Sequence, residues 1–201
     1  MSASAAPVAS DRSDFRTVTV GGAKLGVATA VAVVAFLAAS RLVPINAGLR
    51  SAVEVLIVLG SGAAAAFLPA KWTAARSTEG IAGAAAVGLV GTVVFSAIDI
   101  VVLRPFKAYP WTWDAIGGGS TWWYLPIWWM LGTFLAWVGG IVTARQALLA
   151  GRAVQVAVVG PLVLVIGARL AGLGFALPLE AGLAYTIVLA LLALVTLART
   201  G

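Results

Sequence analysis

The stretch Ile81-Ala-Gly-Ala-Ala-Ala-Val-Gly-Leu-Val-Gly-Thr-Val-Val-Phe-Ser-Ala-Ile-Asp-Ile-Val-Val-Leu103 runs 23 residues with one ionisable side chain, Asp99. About 20 apolar residues in an α-helix cross the ~30 Å hydrocarbon core of a bilayer. The stretch therefore reads as one complete span. Five further apolar runs flank it, Gly21–Ala39, Ala52–Leu68, Trp122–Ala144, Ala153–Leu170 and Leu179–Leu197, each bounded by charges, Pro or Gly. They are continuously apolar and lack the alternation a transmembrane barrel needs, so strands are excluded. The fold class expected is all-α, a polytopic bundle of six transmembrane helices. The second and fifth runs are the shortest and admit a re-entrant or interfacial reading.

Composition agrees with the runs. The hydrophobic set is 62 % of the 201 residues and the charged set 10 %, against roughly 45–50 % and 25 % in a soluble domain. The mean hydropathy is +1.06. A soluble chain of this size cannot cover so much apolar surface with so few charges.

The absences are equally informative. The chain has no His and no Cys, which removes imidazole and thiolate metal sites, imidazole proton relays, disulfides and sulfur nucleophiles. No catalytic constellation, metal site or cofactor is expected, and the chain reads as no enzyme. The net charge is +6, but the basic residues are scattered between apolar runs. They read as anchors to anionic headgroups, with no nucleic-acid partner.

Residues 1–20 read as a polar, flexible cytoplasmic tail, and 21–201 as a single six-helix domain. The first run resembles a signal sequence only loosely, since its polar lead is long and acidic, and it is taken as an uncleaved helix. With the N-terminus inside, one side carries Arg12, Arg16, Lys24, Lys71, Arg76, Arg145, Arg152 and Arg199. The other carries Arg41, Arg50, Arg104, Lys107 and Arg169. The bias places both termini in the cytoplasm of a cell (inner) membrane.

Small residues recur at helical spacing, as in Gly22-x-x-x-Gly26, Ala84-x-x-x-Gly88 with Gly91, and Gly132 with Gly139. Such stripes let helix backbones approach closely in lipid. Gly160-Pro161 interrupts the fifth run and predicts a kink, or a broken helix that exposes carbonyls. The sixth run, almost all Leu, Val and Ala from Ile187 to Leu197, reads as facing lipid or a partner.

Ionisable groups in a span are functional candidates by default. Ser51-Ala-Val-Glu54 fits a capping box and Glu180 follows Pro178, so both acids read as helix-start residues. Asp99 does not. It stands near the C-terminal end of its run, where the helix dipole disfavours it, with Arg104 and Lys107 following. The three form a candidate charge-pair or ion site, though pairing over five residues requires the helix to end near Leu103. Arg169 reads as snorkelling to the headgroups, or as a buried partner for Asp99 or Glu54.

Seven of the eight Trp lie between Trp111 and Trp137. Residues 104–123 form a Trp-rich outer loop holding Gly117-Gly-Gly-Ser120, and the bias reads as a dense aromatic belt at headgroup level. Trp111, Trp113, Trp122, Trp123, Trp128 and Trp129 are the candidate lipid- or partner-binding residues. The function expected is that of a non-catalytic accessory or scaffolding subunit of a membrane complex. Its partners would be membrane lipids and other membrane subunits, or a second copy. The alternative is a small-solute or ion transporter or channel using Asp99 with Arg104 or Arg169. A third reading is a lipid-acting enzyme with Asp99 or Asp114 as base.

Overall fold

In the computed structural model of the chain, the residues described are 12–43, 47–105, 124–145, 150–174 and 176–198. They form helices α1 (Phe15–Leu42), α2 (Ala47–Trp72), α3 (Thr78–Ile98, continued by a π-helical turn over Asp99–Leu103), α4 (Tyr124–Arg145), α5 (Ala150–Leu170) and α6 (Leu177–Ala198). All six are long and apolar enough to cross a membrane. The chain is a six-helix, multi-pass membrane protein. The short second and fifth runs become helices of 26 and 21 residues, so neither is a re-entrant fragment.

The helices outrun the apolar runs because polar caps set their ends. Asp14 caps α1, its carboxylate accepting from Thr17 N–H at 3.0 Å and from Thr17 Oγ1 at 2.6 Å. The helix therefore starts six residues before Gly21. Its foot is tied down, as Arg12 N–H donates to Thr73 O at 2.7 Å and Ser13 Oγ to Glu79 at 3.0 Å. Of the expected flexible tail, residues 12–20 are thus packed or helical, and 1–11 lie outside the described residues. At the end of α2, Ala74 takes a left-handed φ of 49° and Ala75 N–H returns to Ala70 O, closing the helix.

Small residues set the helix contacts. A side chain at Gly26 would meet the Gly91 carbonyl of α3 at 2.6 Å. One at Gly139 of α4 would strike the backbone of Ala66 in α2, and one at Gly132 the methyl of Thr92 in α3. The glycine stripes are therefore packing faces within this chain. α4 packs against α2, α3 and α6, and α1 packs against α2 and α3. The largest buried cluster joins α2, α4, α5 and α6 around Leu59, Leu135, Val142 and Leu189.

α5 rests mainly on α6, at the edge of the bundle. It continues through Gly160-Pro161 without a break; Pro161 is buried, and a Cβ added at Gly160 would stand 2.9 Å from Val188 of α6, so the glycine makes room for that neighbour. The broken-helix expectation fails there. α6 also differs from expectation. It buries Ala184, Tyr185, Val188, Leu189 and Ala193 on one face and exposes Leu183, Ile187, Leu191 and Leu194 on the other.

Candidate functional site

Among the described residues, three arginine–carboxylate pairs join buried acids to partly exposed guanidiniums. Asp99 accepts from Arg104 Nε at 3.2 Å. In an α-helix a residue five positions on has turned about 140° beyond its partner, so this spacing is wrong for a pair. The π-helical turn corrects it. Arg104 N–H closes onto Asp99 O at 2.9 Å, the i→i+5 bond of a π-turn, and stacks residue 104 over residue 99. The helix ends at Leu103, as pairing required.

Glu54 is not a cap. α2 begins at Ala47, so Ser51 and Glu54 lie inside the helix. Glu54 accepts from Arg50 Nε at 3.0 Å and from Ser40 Oγ of α1 at 2.7 Å, fastening the end of α1 to α2. Glu180 does sit in the first turn of α6, but its main contact is Arg169, which grips both oxygens at 2.9 and 3.1 Å across the α5–α6 turn. Arg169 thus reaches neither Asp99 nor Glu54 in these pairs. Gly172, at φ +76°, and the bond from Leu173 N–H to Ala168 O shape that turn.

Since successive spans alternate in direction, all three pairs lie at one end of the bundle. It is the end where α1, α3 and α5 finish and α2, α4 and α6 begin. The guanidiniums stand at the rim and the carboxylates below them.

Trp128 and Trp129 enter α4 at this same end. Trp128 packs edge-on against Phe95, ring centroids 5.8 Å apart. Trp129 Nε1 donates to Ser96 Oγ at 3.4 Å. Both side chains are half-buried against α3, rather than splayed at the rim. Trp137, 47 % exposed, stands halfway down α4. Trp111, Trp113, Trp122, Trp123, Lys107 and Asp114 lie outside the described residues.

The sequence did not signal the cavity of about 490 Å³ that lies between α1, α2, α3, α4 and α6. Among the described residues, its wall carries no Asp, Glu, Lys or Arg. The hydroxyls of Thr29, Ser61, Thr92 and Thr186 line it, and each donates to a carbonyl of its own helix. Tyr185 is different. It lines the same cavity, is 2 % exposed, and its buried hydroxyl has no hydrogen-bond partner. The only hint in the sequence was a Tyr in an otherwise aliphatic run.

Compared with protein-family models, with characterised proteins and with solved structures, the chain matches none. Fold and site geometry alone carry the functional reading.

Proposed function

We propose that this chain is a non-catalytic integral membrane protein, an accessory or scaffolding subunit of a complex in the cell (inner) membrane, with both termini cytoplasmic. It works by contact with lipid and with partner subunits, the Trp-rich region between α3 and α4 serving as a contact surface. The observation that carries the reading is the fate of the buried acids. Glu54, Asp99 and Glu180 are each held by an arginine at one rim, and none lines the cavity. A carrier that moves a cation or proton on Asp99 needs that carboxylate in a wet interior. Here the interior wall is apolar and Asp99 stands beside Arg104.

The orientation rests on the Lys and Arg count alone, eight on the side of the termini against five at the arginine rim.

The test is extraction from the native membrane in mild detergent, followed by identification of stoichiometric companions. The reading expects a defined complex that dissociates when Trp122 and Trp123 become Ala. A lone chain or homo-oligomer, unchanged by those substitutions, contradicts it.

A further inference from the structure

Lys24 lies deeper than its place in the sequence implies. The two glycines that bracket it seat α1 on α3. A side chain at Gly22 would meet Val90 and the Gly91 backbone, and one at Gly26 the Gly91 carbonyl and Val94. Lys24 is therefore level with Gly91. At about 1.5 Å per residue, Gly91 stands about 20 Å from Thr78 and about 18 Å from Leu103, the ends of the third span. Lys24 is at mid-membrane rather than at the headgroups. Setting it aside leaves the basic residues seven against five, in the same sense.

Its side chain stands on the outer face of α1. Gly22, Leu25 and Gly26 are buried, whereas Val20, Ala23, Lys24, Val27 and Val31 are exposed. Among the described residues, Lys24 makes no ion pair and no hydrogen bond. A lysine stem carries its charge toward the headgroups, but four carbons cover only a minor part of the roughly 20 Å to the level of Thr78. An ammonium at this depth is costly, and such groups pair with an anion or line a wet cavity. Within the described chain Lys24 does neither.

Charge complementarity identifies the occupant. The anion has to stand at mid-membrane, which excludes a phosphate held at the headgroups. A second copy does not supply it. Of the seven acids, Asp11 and Asp14 precede α1, Glu79 opens α3, and Glu54, Asp99 and Glu180 are held by arginines at the rim. Asp114 falls between α3 and α4 in sequence, outside the described residues. The exposed Ala23 and Ala28 beside Lys24 let another helix backbone come close.

We propose that the outer face of α1 docks a transmembrane helix of a different subunit, one that carries an Asp or Glu level with Gly91, whose carboxylate pairs with the Lys24 ammonium. This rests on the reading of the chain as a subunit of a membrane complex and gives the chemistry of one partner surface.

The test places a photoreactive amino acid at Val27, which is 52 % exposed on the same face as Lys24, in the full chain in its native membrane. After illumination, the cross-linked peptide is sequenced. The expected product is a transmembrane segment with Asp or Glu in its central third. Lys24→Leu lowers its yield about tenfold or more, the loss of one charge pair in lipid, and Lys24→Arg retains it. Lys24→Asp abolishes the product, and changing the partner's acid to Lys restores it. Because Lys24 touches nothing in its own chain, Lys24→Leu melts in detergent no lower than the wild type, so lost cross-linking does not report unfolding. A cross-linked segment without an acid, a second copy of this chain, or lipid alone at Val27 overturns the proposal. If the extracted complex keeps its companion while Val27 takes up only lipid, this inference falls and the proposed function stands. A chain with no companion overturns both.

Discussion

Arg104 sits directly over Asp99 although five residues separate them, because the last turn of α3 is wound as a π-helix. A buried carboxylate at a helix C-terminus meets an unfavourable dipole, and a cation at the same end offsets it. The pair is thus a local neutralisation that lets α3 end at the rim. Removing one partner exposes the imbalance. Arg104→Leu leaves a buried charge and destabilises the protein by about 1–3 kcal/mol, a range discounted for the partial exposure of the guanidinium. Asp99→Asn with Arg104→Leu together cost less than Arg104→Leu alone. Thermal unfolding in detergent reads both, and equal losses would mean that the pair does not neutralise.

The π-turn itself is testable by deletion. It amounts to one extra residue in the helix, and Val101, 70 % exposed, contributes little packing. Deleting Val101 brings Asp99 and the arginine to i,i+4 spacing, so an α-helical turn can hold the pair and the protein stays folded. Collapse of expression would show that the π-wound backbone is needed for its own shape.

Glycines at contacts and glycines in the open separate cleanly. Gly139→Ala pushes a methyl into the backbone of Ala66 and Gly26→Ala one into Gly91 O, whereas a methyl at Gly167 meets nothing within 4 Å. The first two destabilise by about 1–3 kcal/mol or more. Gly167→Ala is neutral or stabilising by up to about 1 kcal/mol, from helix propensity. A reversed order would refute this helix packing.

Ala74 closes α2 with φ 49°, a conformation that costs an L-residue about 1–2 kcal/mol and glycine little. Ala74→Gly raises stability, by up to about 1 kcal/mol after the entropy of the unfolded glycine is set against the relief. A lowered melting temperature would contradict the left-handed cap.

The foot of α1 is sensitive to acid. The side-chain hydrogen bond from Thr17, then its backbone N–H, holds the Asp14 carboxyl below its ordinary value of 3.8. A depressed folded-state value means the cap is fully effective above that pH and is lost as pH falls through the lower folded value. Amide exchange over residues 15–19 rises in that acid window, and Asp14→Asn removes the pH dependence. Exchange equally acid-sensitive in Asp14→Asn would assign it elsewhere.

What the sequence reveals of this molecule follows the range of each interaction. Apolar runs read locally, so the six spans and the small-residue stripes are legible, and the partner of Asp99 is legible because it is five residues away. The winding that joins them is not, since nothing in Asp-Ile-Val-Val-Leu states that the turn takes an extra residue. Ser51-Ala-Val-Glu54 misleads because the same four residues fit a helix start and a second turn equally well, and only the start of α2 at Ala47 decides. Arg169 and Glu180 meet through a turn whose shape rests on Gly172. The cavity is a property of five helices together and has no local signature.

On the proposed function the buried acids are structural and the protein binds rather than transports. The most direct measurement is proton flux into vesicles holding the purified chain and a trapped pH dye, under an imposed pH gradient. Acidification no faster than in protein-free vesicles is expected, with no change in Asp99→Asn. Flux above that background, abolished by Asp99→Asn in a folded protein, would contradict it.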